Sequence, residues 1–407
     1  MADFDNPKKF IRCCQCGNRY NIEGNLYKDY ILVCPHCGLQ HKVDFTLIEK
    51  QPVGYKLETI NLTQDGSAEN PWQVTTKADL QNIGHADDTG DDWSDGLDDN
   101  GEATNKYDSW AMDDYYIQTA DIDLDGGTFN PIGGKAGTVY TEFSGNYNGD
   151  YHKIYNGSIS KPNDDYVGIF AHIERYNGTV KNLGSEIDVL GNSHVGGIVG
   201  YLRGIIENCY STGNVSGSND RVGGIAGRSY YGKIYSSYAT GNVLGNSYVG
   251  GISGQSRNSG IIENCYATGD VTATIESGNA YLGGITGHCY YGTIRYSYST
   301  CKINYIEGVG FKGGLVGDDY SVTDTENYWD TDTSEIEWSA MGTGKTTSQM
   351  KDIDTYVGNW DMIAIGSYVD EDWYIDDGND YPHLGWEYEE TGGTGEATNI
   401  FFLFSNF

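Results

Sequence analysis

Between residues 166 and 330 the apolar positions come in ones and twos, as in "VGGI", "GIIE" and "GNV", with Gly, Asn, Ser and Tyr between them. Short alternating runs broken by turn residues predict half-buried β-strands of a few residues each. The pattern also returns. "GIIENCYSTGNVSG" at 204–217 reappears as "GIIENCYATGDV" at 260–271. Aligned on double glycines, the chain reads "HVGGIVG" at 194, "RVGGIAG" at 221, "YVGGISG" at 248, "YLGGITG" at 281 and "FKGGLVG" at 311, with glycine pairs 27, 27, 33 and 30 residues apart. A degenerate first copy, "YVGIFAH", starts at Tyr166. The second half of each unit recurs as "ENCYSTGNV", "YSSYATGNV", "ENCYATGDV", "RYSYSTCKI" and "TENYWDTDT", which puts Tyr210, Tyr238, Tyr266, Tyr298 and Trp329 in equivalent slots.

A fixed period of this length denotes a solenoid or array, and the strand-like runs exclude helical repeats. Each unit is expected to form one coil of a parallel β-solenoid, advancing ~4.8 Å and paired to the next coil through its backbone. About six coils are expected, with small residues at the corners where stacked backbones approach closely. A lone coil buries nothing, so stacking supplies the stability. The two near-identical stretches then lie two coils apart. That separates Cys209 from Cys265 by ~10 Å, beyond disulfide reach, with Ser237 in the equivalent place between them.

Composition agrees: 57 Gly and 34 Tyr against 7 Pro suit short strands and tight turns. A formal charge of −33 disfavours nucleic acid and anionic membrane surfaces as partners. Residues 1–50 depart from this balance, with seven basic and six acidic side chains, so nearly all the negative charge lies beyond residue 50. A domain boundary is expected there.

That first segment holds Cys13 and Cys16 in one C-x-x-C and Cys34 and Cys37 in a second. Four thiolates at this spacing can surround one structural zinc ion tetrahedrally. Gly17 and Gly38 follow the second cysteine of each pair and free the backbone there. "YILVC" and "HKVDFTLI" read as strands around the second pair, and Cys14 and His36 as non-ligands. Two disulfides or a rubredoxin-type iron site are the alternatives. The segment resembles small zinc ribbons of the Com type found in bacteriophage genomes, which implies a docking or folding module.

The repeats, quoted as "VGGIVGYLRGIIENCYSTGNVSG", resemble the GLUG-motif family. The likeness extends to "ENPWQVTTKADLQNIG" at 69–84, "YYIQTADIDLDG" at 115–126 and, at the far end, "NYWDTDTS", "GTGKTTSQMKD" and "DDGNDYPHLGW". The resemblance implies a structural or adhesive protein of an extracellular surface; related modules accompany some secreted metalloproteases. The expected fold is all-β: a single-chain parallel β-solenoid, a right-handed coil favoured, with a small N-terminal zinc ribbon. Its expected parts are 1–50 (zinc ribbon), 51–165 (opening and capping segment), 166–334 (repeats), 335–390 (closing segment) and 391–407 (linker and apolar tail).

Several stretches mimic catalytic or binding motifs. "GTGKTT" at 342–347 lacks the first P-loop glycine, since that position is Ser339. "DIDLDG" at 121–126 opens like an EF-hand loop, but its twelfth position is Ile132, and alternation reads it as a strand. Seven Asp and one Glu at 87–102, and "DDGND" at 376–380, are solvated acids with weak calcium binding as the alternative. No H-E-x-x-H or G-x-S-x-G occurs. No catalytic residue is therefore assigned. "SYYG" at 229 and "CYYG" at 289 fall two coils apart, where outward tyrosines stack on sugar rings or pack on neighbouring coils.

The tail, "IFFLFSNF" at 400–407, is too short to span a membrane and would aggregate if left bare. It predicts docking on its own solenoid or on another subunit, and so an oligomer or larger assembly through the tail. No signal peptide or membrane span is read. Taken together, these features predict a non-enzymatic scaffold made in a cytoplasm and displayed on a virion fibre, spike or extracellular assembly. Other subunits through the tail and ribbon, and a surface glycan, are its expected partners. A cell-surface adhesin and a glycan-binding or glycan-cleaving β-helix are the competing readings.

Overall fold

The computed structural model describes residues 64–387, apart from 85–106, 108, 137–138, 275–279, 307–309 and 365–371, together with five short strands before residue 64. The chain divides into two compact units, Met1–Pro71 and Trp72–Phe407. In the first, Lys9–Arg12 pairs antiparallel with Arg19–Ile22, and Tyr30–Val33 with Gln40–Val43, which also pairs Ile60–Asn61. The strands expected on either side of the second C-x-x-C are therefore present. The zinc assignment to Cys13, Cys16, Cys34 and Cys37 lies outside the described residues, as do the acidic loop at 87–102 and the tail at 391–407.

The second unit is a parallel β-solenoid of about seven turns. Each coil visits four faces in order. For the coil beginning at Ile205 these are face I (Ile205–Glu207), face II (Tyr210–Ser211 and Val215–Gly217), face III (Asp220–Gly223) and face IV (Ala226–Tyr230). Through the repeats each strand meets its counterpart one coil on, in register, as Ile206 meets Ile234, Ile262 and Ile294 on face I. The double glycines align on face III, with Gly196, Gly223, Gly250, Gly283 and Gly313 in one row. The turn count exceeds the expected six because the opening segment is itself wound into the rod: Trp72–Val74, Tyr115–Gln118 and Asn146–Asn148 extend face I. Ile122 and Leu124 are buried, so "DIDLDG" is a strand edge.

The period follows from what each position must bury. Ile206, Ile234, Ile262 and Ile294 fill one side of the interior, and Val189, Val215, Val243, Val271 and Ile303 another. The slot after each outward tyrosine must be small, because it points at the second glycine of the facing pair. Ser211, Ala239, Ala267 and Ser299 occupy it, opposite Gly197, Gly224, Gly251 and Gly284. Here the sequence alignment is off by one. Tyr328, not Trp329, pairs with Tyr298, while Trp329 aligns with Ser299 and lies against Gly314. The next strand, Thr343–Lys345, brings only Gly344 against the ring, so an indole fits there.

Both ends are finished differently from the middle. At the start, Trp72, Tyr107, Trp110 and Tyr116 pack in stacked and edge-on contacts over Phe143 and Phe170, beneath the short helix Lys77–Gln81. At the finish, the isoleucine row ends in exposed Asp324 and the Val195–Val222–Val249–Leu282 row ends in Lys312.

Residues 347–364 and 372–387 double back along face II. Tyr210, Tyr238, Tyr266 and Tyr298 stack there with centroids 4.9–5.3 Å apart and interplanar angles of 5–7°. Trp360 and Trp373 pack over the last of them, Tyr356 packs on Trp360 and Tyr328, and Trp386 stacks on Tyr238. Trp360, Trp373 and Trp386 donate indole hydrogen bonds to Glu326 O, Asn264 Oδ1 and Ser236 O respectively, and so fasten three coils. The closing segment is a clasp along the rod.

Cys209, Cys265, Cys289 and Cys301 are free and buried. Burial pushes each thiol up to about 12, so they are fillers and not nucleophiles. Ser237 stands between Cys209 and Cys265 as expected, its Oγ accepting from Cys209 N.

Candidate functional site

The unit x-V-G-G-I-x-G-x contains a third glycine, and that glycine creates the site. Gly200, Gly227, Gly254 and Gly287 of face IV lie directly on the face III backbone; a Cβ on Gly200 would come 2.6 Å from Tyr166 Cα and Val167 N. With no side chain between them, faces III and IV close together, and the residues flanking the glycines converge outside. One column is the residue before each V-G-G: Tyr166, His194, Arg221, Tyr248, Tyr281 and Phe311. The other is the residue after each third glycine: His172, Tyr201, Arg228, Gln255, His288 and Asp318. A third column on face IV runs Tyr230, Arg257, Tyr290, Tyr320.

Contacts knit the columns into one strip. Tyr166 stacks on His194 at 4.7 Å, and His172 meets Tyr201 edge-on at 4.6 Å. Arg221 Nε donates to Gln255 Oε1 (3.1 Å). Tyr248, Tyr281 and Phe311 stack at 4.7 and 5.0 Å, and His288 packs against the first two. Tyr166, His194, Arg221 and Tyr248 all hold left-handed backbone, φ 54–64°. That conformation costs roughly 1–2 kcal/mol for a side chain bearing Cβ, and it persists here in four successive units.

Of the two readings left open for the tyrosines, the strip favours packing on neighbouring coils. "SYYG" and "CYYG" do sit two coils apart, with Ser229, Ser256 and Cys289 in register. Yet Tyr290 has Arg257 over its ring at 4.7 Å and Tyr320 stacked at 5.1 Å. Along these columns ring faces serve one another, so ring edges and hydroxyls are what a ligand would meet. The two main columns were not singled out in the sequence. Their signal is the aromatic or basic residue before the glycine pair in successive units.

Burial sets the electrostatics. His172 is lowered to about 4 by desolvation, aided by Arg203; His194 is lowered to about 3 by desolvation, aided by Arg221 and Arg228. Glu174 pulls His172 the other way; Glu142 lies 3.4 Å from His172 Nδ1, but burial pushes its own carboxyl toward the neutral form and weakens it as a counter-ion. Both imidazoles are thus neutral near pH 7. The unfolded chain takes up these protons below about pH 6.5 while the native state does not, so stability falls as pH drops from 6.5 toward 4. The expected loss is of order a few kcal/mol. Urea midpoints at pH 7.5 and 4.5 measure it, and His172→Gln/His194→Gln should flatten the difference.

Among the described residues no three His, Cys, Asp or Glu side chains gather as a metal site, and no helix is long and apolar enough to cross a membrane. "GTGKTT" forms the strand Thr343–Lys345 and a four-residue helix, Thr347–Met350, capped by Thr346. In "DDGND", Asp376 and Asp377 accept hydrogen bonds from Asn379 and from Ile353 N.

Comparison with known proteins places these features. A provisionally named immunoglobulin A1 protease from Bacteroides ovatus shares the fold, with a TM-score of 0.53 and 23% identity over 80% of this chain and 95% of its own. Halomucin from Haloquadratum walsbyi (strain DSM 16790 / HBSQ001) is 32% identical over 173 residues, 40% of this chain. The match covers only 2% of halomucin's length. The GLUG motif matches residues 191–216, 218–244 and 245–272. The middle of the strip, from His194 to Gln255, is therefore built on GLUG-motif repeats wound as a parallel β-solenoid.

Proposed function

We propose that the chain is a non-catalytic adhesive module, a rigid rod displayed on a virion fibre or extracellular surface assembly that holds its strip against a partner surface. One observation carries this reading: the Tyr/His/Arg columns run along one side of the rod for six coils, one side chain per strand spacing. Such a ladder suits many weak contacts made together. The chemistry agrees, since the described cysteines are inert and His172 and His194 titrate far from the neutral range that a general base needs. GLUG repeats and the similarity to a protein named as a mucin support a surface setting.

Labelled full-length protein mixed with intact cells should sediment with them, and surface polysaccharide and immunoglobulin A1 should keep their size after incubation. Cleavage of either substrate would overturn the non-catalytic reading, and absence of the label from every cell pellet would overturn the adhesive one.

A further inference from the structure

The chain carries 58 acidic residues and a formal charge of −33. Carboxylates are abundant, and most described arginines would be expected to find one. Arg203, Arg221 and Arg295 do, with Glu142, Asp220 and Glu263. Arg175, Arg228 and Arg257 have no carboxylate in ion-pair reach among the described residues. All three lie on face IV or at its corner. Each is held by rings instead: Arg175 over Tyr231 at 3.7 Å, Arg228 over Tyr230 at 5.0 Å and Tyr201 at 5.5 Å, Arg257 over Tyr290 at 4.7 Å. Rings cover the guanidinium planes and leave the N–H edges to take an anion.

A second observation comes from the interior of the strip. His172 and His194 are each 9% exposed. His172 Nε2, both ring nitrogens of His194, and Nε of Arg228 and Arg257 are buried without a hydrogen-bond partner. Buried polar atoms are ordinarily paired, so this cluster marks a strip whose polar capacity the protein does not itself fill.

Resting on the adhesive reading above, we propose that the strip binds an acidic polysaccharide, whose carboxylate or sulfate groups are taken by Arg175, Arg228 and Arg257 and whose hydroxyls pair with tyrosine hydroxyls. An extended ligand fits because face IV spans six strands, about 24 Å at one strand spacing per coil. Ring stacking does not lead recognition, because within the columns rings lie mostly on a neighbouring ring or guanidinium. Nucleic acid fits less well: a duplex carries a charge every ~1.7 Å of axis, and three arginines on a strongly acidic rod cannot neutralise it. Repulsion from the rest of the rod is screened beyond about 8 Å at physiological ionic strength, whereas guanidinium–carboxylate contacts act within hydrogen-bond range.

Affinity electrophoresis of the full chain tests this, through gels holding polygalacturonate, dextran sulfate, neutral dextran or single-stranded DNA. Retardation by the carboxylated or the sulfated polymer, and by neither dextran nor DNA, is expected; which polymer retards identifies the anionic group. Arg228→Gln/Arg257→Gln should weaken it at least tenfold with an unchanged melting temperature. Arg175→Gln, at an exposed position, should weaken it several-fold and cannot be blamed on misfolding. Equal retardation by neutral dextran, retardation by DNA alone, none by either acidic polymer, or full retention in both variants would overturn the proposal. If the wild-type chain still sediments with cells in any of those cases, the adhesive reading stands and only the acidic ligand is lost.

Discussion

Gly224→Val leaves no stably folded solenoid. A Cβ at Gly224 would fall 2.6 Å from Ala239 Cβ and closer still to Gly251 O. Neither obstacle can yield: Gly251 O accepts from Gly224 N at 3.0 Å, and Ala239 is fixed in register between Ser211 and Ala267. Relief would require parting two coils, which breaks the ladder on every face at once. The cost is expected to exceed about 4 kcal/mol, beyond the usual penalty for overpacking. Gly126→Ala is the control. Gly126 has φ +69° and no atom within 4 Å of a built Cβ, so it should lose only the roughly 1–2 kcal/mol of a left-handed backbone. Far-UV circular dichroism and thermal melts compare the two, and a folded Gly224→Val protein with a near-native melting temperature would show that the glycine rows do not lock the coils.

Trp373→Ala should detach the clasp and spare the rod. Trp373 is 1% exposed, packs on Tyr266, Tyr298 and Trp360, and donates to Asn264 Oδ1. Truncating a buried indole to alanine costs about 3–5 kcal/mol. That loss falls on a cluster built from face II tyrosines and the returning segment, separate from the solenoid interior. The expected result is a two-stage response: near-UV signal and protection of residues 347–387 from protease vanish first, while far-UV signal persists to the wild-type melting temperature. A single cooperative transition shifted downward would mean that clasp and coils form one unit.

The coil register was legible because V-G-G must repeat wherever backbone meets backbone, and the steric demand prints itself on the sequence at a fixed period. The slip at Trp329 shows where that logic stops. The small-residue rule for the slot after tyrosine lapses at the last unit, where Trp329 lies between Gly314 and Gly344, so alignment by aromatic character misplaced it. The clasp was illegible for a related reason. Trp360, Trp373 and Trp386 belong to no repeat, and Tyr238 or Tyr266 reads the same whether solvent or an indole covers it. The strip fell between these cases. His194, Arg221 and Tyr248 occupy positions that the coil leaves free, and such positions look like noise until columns, not motifs, are compared. "SYYG" and "CYYG" drew notice by being alike, whereas the residues that converge are unlike.

The finished ends of the rod bear on how its length can change. With Trp110 closing one terminus and Asp324, Lys312 and Trp329 the other, no further coil can be appended at either extremity without burying a charge or clashing with an indole. Interior units carry no such mark. An in-frame duplication of residues 218–244 would insert one more rung, about 4.8 Å taller, with both lids intact and one more row of gripping side chains. Reach is thereby open to change by gene slippage, while both termini stay as they are.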